Sequence, residues 1–387
     1  MCDSTPGSRF DNSSESSSDR SSDEISVRPP RLLFWETTRA CNLSCQHCRA
    51  VPVKVVEPDE LSTEQSKKLI CQAAELGVGI FVFSGGEPLM RPDLFELVAL
   101  AKEKKMHVAL ATNGTLLDET WVDKIKTSGI ARVSVSIDSH IAFEHDQFRG
   151  EEGAFEKAIE GMKLMKKVDL PFQINATVTR RNMKSLGKIV SLAENIGASA
   201  LHLFFLVPVG CGLEIPESER ITANEYEDLL HWFAGEIRTS SIEMRATCAP
   251  HLQRVLLQTK TRGAHKLDTS AMKGHPSSIS GHHSAMKGHP MSKGCLAGSG
   301  IVFVSSKGDV KPCGYMDHVV GNMLDTPLNK LWYDNVTLQN LRTPKSLTGS
   351  CGSCSFRFKC GGCRSRALAD SGDMFGDEPM CSWNDSM

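Results

Sequence analysis

The sequence predicts an α/β fold, a partial (β/α)6 TIM-like barrel with a cysteine-rich C-terminal domain. One observation behind this prediction is that strand-like apolar runs alternate with helical patterns between residue 31 and about residue 208. Repeated strand–helix units form parallel sheets with right-handed crossovers, and six units are too few to close an eight-stranded barrel. The other observation is that regular patterns are sparse from residue 295 onward, where cysteines dominate.

The elements of the barrel follow in order from the hydrophobic periodicity. Strands are predicted at 31–37, 79–84, 107–112, 131–137, 172–178 and 200–206. Helices are predicted at 62–76, 93–105, 118–128, 153–167 and 184–196. Ser62 and Gln65 form the pattern of a capping box at the first helix. Gly77, Gly129 and Gly197 each follow a helix and suit its C-terminal end.

Beyond the barrel the pattern is weaker. A helix is predicted near 222–238, a hairpin from 301–304 and 310–312, and helical structure over 326–342. We expect the rest of the C-terminal region to fold around metal, because its cysteines outnumber its regular elements.

Four regions are predicted along the chain: 1–28, 29–240, 241–294 and 295–387. The first is rich in Ser, Asp and Glu and is expected to be disordered, since it cannot bury enough surface to offset its ordering entropy. The second is the barrel, and the last is the cysteine-rich domain. The third is a connector with a His/Gly/Pro-rich low-complexity insert, either a solvated loop or a tract that gathers a metal or an iron tetrapyrrole. Its histidines are His265, His275, His282, His283 and His289.

Composition excludes several classes of protein. A net charge of −2 offers no general attraction for nucleic acid or an anionic membrane. No stretch approaches ~20 uninterrupted apolar residues, and no basic segment precedes an apolar core at the N-terminus. The 14 cysteines are clustered in a long α/β chain, which favours metal ligation over a disulfide scaffold. We therefore expect a cytoplasmic protein.

Three cysteines follow the first predicted strand and so lie in the loop at its C-terminal end. Cys41, Cys45 and Cys48 are separated by three and then two residues. Three thiolates can hold three irons of a cubane cluster and leave the fourth iron open for chemistry. The alternative is a zinc knuckle that lacks one ligand.

Polar and glycine-rich segments end the next three strands, at the edge of a parallel barrel where chemistry gathers. Gly85 and Gly86 end the second strand and allow a ligand to approach the backbone, and Glu87 is suited to face an ammonium group. Asn113 ends the third strand. Small polar side chains end the fourth strand, where Ser136 and Asp138 are suited to grip hydroxyl groups or a carboxylate.

The last two strands continue this pattern. Gln173 and Asn175 alternate on the fifth strand and so point the same way. Val207 lies in the segment that ends the sixth strand and is suited to close over a flat ring. Together the strand ends describe a cluster beside a small zwitterionic nucleoside.

The cysteine loop and the Gly-Gly-Glu-Pro segment resemble the radical S-adenosylmethionine (SAM) superfamily, over residues 31 to about 210. The resemblance implies a [4Fe–4S] cluster on Cys41, Cys45 and Cys48, with the open iron binding the amino and carboxylate groups of SAM. Reduction then cleaves SAM to methionine and a 5′-deoxyadenosyl radical. His47 stands where the family usually has an aromatic residue and offers a flat face to adenine. The expected cofactor contacts are Gly85, Gly86, Glu87, Asn113, Ser136, Asp138 and Val207.

The later cysteines resemble the SPASM extension of radical SAM enzymes, which implies one or two auxiliary [4Fe–4S] clusters. One complete site is expected from Cys351, Cys354, Cys360 and Cys381. A second, with an open iron unless Cys248 joins it, is expected from Cys295, Cys313 and Cys363. Two residues separate Cys360 from Cys363 where the usual pattern has three, so the partner set of Cys363 stays open. The alternative is a structural zinc site built from the cysteines between 351 and 363.

Several motifs resemble the tetrapyrrole branch of the family, nearest to its heme b synthase type. They are 35–41, 145–150, 206–210, 247–251 and 360–366. The resemblance implies oxidative decarboxylation of two propionates of iron-coproporphyrin III to vinyl groups, with an electron donor of the flavodoxin or ferredoxin type. A guanidinium can grip a carboxylate bidentately. Candidate partners of the propionates are Arg149, Arg180, Arg181, Arg364 and Arg366.

Other functions are retained as alternatives. One is another tetrapyrrole enzyme, of the heme d1 or didecarboxysiroheme type. Another is a peptide maturase like that of pyrroloquinoline quinone synthesis, although residues 1–28 do not resemble a leader-binding domain. The third, from a different class, is a non-catalytic carrier of zinc or a cluster, which the strand-end groups argue against.

Overall fold

The structure is a computed structural model that describes residues 27–262 and 294–383. The predicted histidine-rich insert and nearly all of the predicted disordered tail lie outside the described residues. Within those ranges, no helix is both long enough and apolar enough to cross a bilayer.

One sheet organises the described chain. Its strands are β1 (Leu32–Glu36), β2 (Ile80–Ser84), β3 (His107–Thr112), β4 (Arg132–Ser136), β5 (Phe172–Val178), β6 (Ala200–Phe205), β7 (Glu243–Thr247), β8 (Ile301–Val304), β9 (Asp309–Lys311) and β10 (Gly321–Asn322). They lie in the order β10-β9-β8-β1-β2-β3-β4-β5-β6-β7. Neighbours from β8 through to β7 are parallel, whereas β9 is antiparallel to β8 and β10. The sheet does not close, so the predicted partial barrel is confirmed.

Helices alternate with these strands and extend through the C-terminal region. They are α1 (Thr63–Glu75), α2 (Leu94–Glu103), α3 (Glu119–Thr127), α4 (Ala142–Arg149), α5 (Ala154–Lys167), α6 (Leu186–Ile196), α7 (Ala223–Thr239), α8 (Leu252–Arg262), α9 (Leu328–Asp334), α10 (Val336–Arg342), α11 (Gly349–Ser353) and α12 (Arg364–Ser371). The predicted capping box is present: Gln65 N donates to Ser62 Oγ at 3.3 Å, and Ser62 N donates to Gln65 Oε1 at 2.9 Å.

The sheet is wider than the six predicted strands. β7, from the predicted connector, pairs with β6, and β8, from the cysteine-rich region, pairs with β1. These additions satisfy backbone groups that the edges of a six-stranded sheet would leave unpaired. The C-terminal region is thereby joined to the strand that precedes the cysteine loop.

Several helical details also differ from the prediction, which lacked α8, α11 and α12 as well as α4. α4 was not predicted, because its short mixed sequence lacks a clear apolar face. The predicted helical segment 326–342 is two helices that meet at Asn335. The Asn335 side chain accepts hydrogen bonds from Thr337 N and Leu338 N and so starts the second helix.

The two faces of the strands have different roles. On β4, Val133 and Val135 are fully buried and join the apolar core against the helices. Ser134 and Ser136 alternate with them, point to the inner face and are only half-buried. The inner face of the open barrel therefore carries polar side chains that a ligand can reach.

Candidate functional site

The three-cysteine loop is anchored from both sides. Cys41 N donates to Val53 O at 2.8 Å, and Gln46 N donates to Phe148 O, at the end of α4, at 3.0 Å. Cys41 and Cys45 are buried and Cys48 is half-buried, and all three thiols are unbridged. The loop therefore presents three thiols together at the C-terminal end of β1.

Burial controls the chemistry of these thiols. It raises the pKa of Cys41 to about 11, and the neighbouring Glu87, Cys45 and Cys48 reinforce that shift. Burial likewise raises the pKa values of Cys45 and Cys48. A thiolate forms at such a position when a metal supplies the compensating charge. Three adjacent thiols, two buried and one half-buried, thus fit a cluster that takes three protein ligands.

Arg149, at the end of α4, is a cation that contacts this loop. Its Nη1 lies 3.7 Å from Cys45 Sγ, and its Nε donates to Asp138 Oδ2 at 2.7 Å. The other oxygen of Asp138 accepts Thr177 N at 2.7 Å. His47 Nε2 lies 3.6 Å from the same carboxylate, and its ring stacks on Phe148 with centroids 4.1 Å apart. Asp138 therefore orients Arg149 and His47.

The two adjacent glycines bring β2 against the base of the cysteine loop. Gly86 N donates to Thr38 O at 2.7 Å. A Cβ on Gly86 would lie 2.3 Å from Ala40 O, and a Cβ on Gly85, whose φ is +146°, would lie 2.6 Å from Thr38 O. The structural reason for both glycines is thus the close approach of two backbones, in addition to the predicted approach of a ligand.

Glu87 is a buried carboxylate that forms no ion pair with any residue of the described chain. It accepts hydrogen bonds from Thr112 Oγ1 at 2.8 Å, Asn113 N at 2.8 Å and Leu89 N at 3.1 Å. Burial outweighs these donors and raises its pKa to about 7. A positively charged group bound nearby would stabilise the ionised form, as expected for a residue that faces an ammonium group.

The remaining predicted cofactor residues surround the same loop. Asn113 Nδ2 donates to Asn42 Oδ1 at 2.8 Å and lies 3.9 Å from Cys41 Sγ. Ser136 points into the open barrel and is half-buried. Val207 is buried in the segment after β6, which then packs against residues 48–50. The structure thus brings these predicted cofactor residues to one edge of the sheet.

Four later cysteines gather at the end of β7 and beside β8. The Cys248 thiol is hydrogen-bonded to Cys363, which raises the pKa of Cys248 and lowers that of Cys363. Cys295 and Cys313 lie close enough to influence each other and Cys363 electrostatically. Cys313 Sγ also contacts Ser365 Oγ at 2.9 Å. Cys363 therefore lies with Cys248, so the alternative zinc site that assigns it to the 351–360 cysteines is not favoured.

A second group forms around Cys360. Its thiol pKa is raised to about 12 by burial, and Cys381 and Cys351 add to that shift. Cys351 Sγ accepts a hydrogen bond from Arg364 Nη2 at 3.4 Å, and Cys354 Sγ accepts one from Phe356 N at 3.3 Å. Within residues 27–262 and 294–383, no three His, Cys, Asp or Glu side chains are arranged to hold a single metal ion.

Buried charges connect the two cysteine groups. Arg366 donates to the backbone carbonyl of Cys248 and to Glu378 Oε1, both at 2.7 Å. Glu378 Oε2 lies 2.9 Å from His251 Nε2. Although burial opposes its charge, contacts with Cys381 and Glu378 raise the pKa of His251 to about 9. One ionic network thus contacts a member of each group.

The arginines expected to bind propionates are engaged by the protein. They are Arg149, Arg180, Arg181, Arg364 and Arg366. In that order, their guanidinium groups contact Asp138, Glu225, Glu219, Gly376 O and Glu378. Three of the five are also buried. The expectation that these arginines serve the substrate is therefore not supported, because internal carboxylates and carbonyls already occupy them.

Comparison with known proteins defines the class. The radical SAM superfamily model matches residues 35–193, and a model of the SPASM iron–sulfur cluster-binding domain matches residues 295–355. The chain belongs to the radical SAM superfamily and carries a SPASM domain. It is accordingly an enzyme that uses a [4Fe–4S] cluster with SAM and carries auxiliary iron–sulfur clusters.

Individual relatives show which members of the superfamily the chain is similar to. The chain is 42% identical to the AdoMet-dependent heme synthase of Methanosarcina barkeri, over 91% of this chain and 96% of that protein. It is 30% identical to the pre-heme d1 synthase of Dinoroseobacter shibae, over 91% of this chain and 86% of that protein. Streptococcus suis SuiB bound to SAM shares the fold, with a TM-score of 0.68 and 18% identity over 92% of this chain and 77% of that chain.

Sequence reasoning did not find the ionic network around the auxiliary cysteines. His251 follows Cys248 by three residues, and Glu378 precedes Cys381 by three. The sequence signal that could have revealed this network was a charged or titratable residue three positions from a cysteine. Their pairing could not be read from the sequence, since about 127 residues separate the two segments.

Proposed function

We propose that this enzyme is a heme synthase, which oxidatively decarboxylates two propionates of iron-coproporphyrin III to vinyl groups. The observation that carries the proposal is 42% identity to an AdoMet-dependent heme synthase over 96% of that relative. The pre-heme d1 synthase is more distant, at 30% identity, so that alternative has less support. The substrate of the proposed reaction is thus a small tetrapyrrole.

We assign the radical-generating cluster to Cys41, Cys45 and Cys48. When bound and reduced, that cluster supplies the electron that cleaves SAM to a 5′-deoxyadenosyl radical. Glu87 binds the ammonium group of SAM, an assignment supported by its buried carboxylate, which no cation within residues 27–262 and 294–383 pairs with. Gly85, Gly86, Asn113, Ser136 and Val207 complete the cofactor site, and Asp138 acts through Arg149 and His47.

We assign two auxiliary clusters to the two later groups of cysteines. The first set is Cys248, Cys295, Cys313 and Cys363, and the second is Cys351, Cys354, Cys360 and Cys381. Loss of carbon dioxide from a propionate radical leaves one surplus electron. A cluster beside the substrate is suited to accept it. We further propose a flavodoxin- or ferredoxin-type donor and a cytoplasmic location.

Anaerobic turnover tests the proposal. Reconstituted enzyme is incubated with SAM, a reductant and iron-coproporphyrin III, and products are separated by liquid chromatography with mass detection. We expect 5′-deoxyadenosine together with products that have lost one carbon dioxide and two hydrogen atoms per propionate. Deoxyadenosine without tetrapyrrole products would refute the heme synthase assignment. Cys45→Ala should abolish both products, because it removes a ligand of the radical-generating cluster.

A further inference from the structure

We propose that the Ser365 hydroxyl, in the first turn of α12, raises the reduction potential of the first auxiliary cluster. That cluster is the one assigned to Cys248, Cys295, Cys313 and Cys363. The inference rests on the proposed function, because it concerns how readily this cluster accepts the electron that decarboxylation releases. Its test contains no tetrapyrrole, so that the inference and the proposed function can fail separately.

The Ser365 side chain lies directly against a thiol of this group. Its Oγ is 2.9 Å from Cys313 Sγ, and the residue is 2% exposed. Cys313 is also buried, in the segment that follows β9. A thiolate that binds iron carries no proton, so the hydroxyl must be the donor in this contact. Ser365 therefore donates a buried O–H to a ligand sulfur when the cluster is bound.

Two donors to Cys313 differ in their origin. The backbone N of Tyr315 donates to the sulfur at 3.4 Å and belongs to the same loop as the thiol. The Ser365 hydroxyl comes from a segment 52 residues further along the chain. Because this donor is a side chain on another element, a substitution can remove it and leave the backbone of the Cys313 loop unchanged. Ser365 is thus a positioning residue that acts through the Cys313 sulfur.

The first turn of α12 also holds other members of the group. Cys363 occupies the N-cap position of this helix, so it lies at the end where the helix dipole places partial positive charge. The guanidinium of Arg366 donates from Nη2 to the backbone carbonyl of Cys248 at 2.7 Å. One helical turn therefore contacts or borders ligands from three separate parts of the chain, and Ser365 lies at its centre.

A donor at this position acts on the charge of the cluster. One-electron reduction adds negative charge that the ligand sulfurs share, so a hydrogen bond to sulfur stabilises the reduced form more than the oxidised form. Burial strengthens the effect, because water does not screen it. In the proposed reaction, the substrate radical loses carbon dioxide and gives up one electron as the vinyl group forms. A higher potential makes transfer of that electron to the cluster more favourable.

A potentiometric titration followed by electron paramagnetic resonance tests the role of Ser365. The full chain is reconstituted anaerobically in a background that lacks the radical-generating cluster, with alanine at Cys41, Cys45 and Cys48. Ser365→Ala should lower one midpoint potential, so that the ratio of reduced to oxidised cluster at the original midpoint falls about 5-fold. Ser365→Cys keeps a weaker donor in nearly the same volume, and its midpoint should lie between the other two.

Two controls show which cluster is affected and whether the helix itself matters. Ser371→Ala removes another hydroxyl from α12, one that donates to Ala367 O at 3.0 Å, and should leave both midpoints unchanged. Cys248→Ala removes a ligand of the first auxiliary cluster and so identifies the signal of that cluster by its loss. Iron content is measured for every variant, so that loss of a cluster is distinguished from a change in its potential.

Each outcome decides the inference. Full iron and two unchanged midpoints in Ser365→Ala would refute the tuning role, and so would a shift in the signal that Cys248→Ala retains. If Ser365→Ala loses iron, Ser365→Cys decides: a lowered midpoint supports the role, whereas an unchanged midpoint or the same loss of iron overturns it. The heme synthase assignment is judged separately, by turnover of iron-coproporphyrin III.

Discussion

At the scale of single residues, the radical-generating loop depends on buried charges that satisfy one another. Arg149 contacts both Cys45 and Asp138, and Asp138 also accepts the Thr177 backbone N–H. Burial opposes ionisation of Asp138, but Arg149 and the neighbouring histidines lower its pKa. Removing one member of such a pair leaves the other buried and unpaired.

Arg149→Gln should therefore destabilise the enzyme by about 3 kcal/mol, because Asp138 loses its buried partner. Chemical denaturation, followed by circular dichroism under anaerobic conditions, measures the change. The double variant Asp138→Asn with Arg149→Gln should recover part of that loss. Equal stability of wild type and Arg149→Gln would contradict the role given to this pair.

Gly86→Ala should lower both stability and iron content. The new Cβ would lie 2.3 Å from Ala40 O, so the cysteine loop must shift away from β2. Gly235→Ala, inside α7 and with no atom within 4 Å of its added Cβ, is the matched control. The control should gain up to about 1 kcal/mol from helix propensity. Wild-type iron content in Gly86→Ala would refute the tight contact.

At the scale of elements, β7 positions Cys248, whose role as a cluster ligand the sequence left open. Cys248 follows the last residue of this strand and has a φ of +57°, in the left-handed region that non-glycine residues rarely adopt. Such a conformation persists where the surroundings require it. Here it places the thiol against Cys363.

Cys248→Ala should lower the iron content by about four atoms per chain, the content of one [4Fe–4S] cluster. The variant loses one of the four thiols that gather beside β8. Cys211→Ala is the control, since Cys211 lies in the loop after β6 and its thiol contacts Ala50 O. Colorimetric iron analysis of both variants distinguishes them. Unchanged iron in Cys248→Ala would refute its assignment as a ligand.

At the scale of the whole molecule, folding requires the buried His145 to be neutral. His145 is 1% exposed, and its Nδ1 accepts a hydrogen bond from Asp138 N at 3.2 Å. Burial, assisted by Arg149, lowers its pKa from 6.5 to about 4. The unfolded chain therefore binds more protons than the folded chain between those two values, and acid favours unfolding.

The free energy of unfolding should consequently fall as the pH is lowered from about 6.5 toward 4. His145 alone contributes a loss of up to about 2 kcal/mol at pH 5. Urea titrations at about pH 7.5, 6 and 5 measure how the free energy of unfolding depends on pH. His145→Asn keeps an acceptor for Asp138 N but does not titrate, so its slope should be shallower. An equal slope in both proteins would contradict this origin of the acid sensitivity.

Much of this architecture was predictable from local patterns. The six strands β1–β6, the capping box at Ser62 and the cysteine loop all depend on residues close together in the chain. β7 and the pairing of β8 with β1 were missed, because a short strand is defined by the edge that it joins. The partners of Arg149 and Glu378 were missed for a similar reason, since the sequence does not show which distant group a charged side chain will contact.

The sequence by itself determined the class of this enzyme. The spacing of Cys41, Cys45 and Cys48 and the glycines before Glu87 are local requirements of a metal loop and of two close backbones. Only the tertiary structure decided which cysteines gather with Cys363 and which internal groups the five candidate arginines contact. Those relations depend on strand order and burial, which join segments far apart in the chain and set the dielectric in which each charge must be paired.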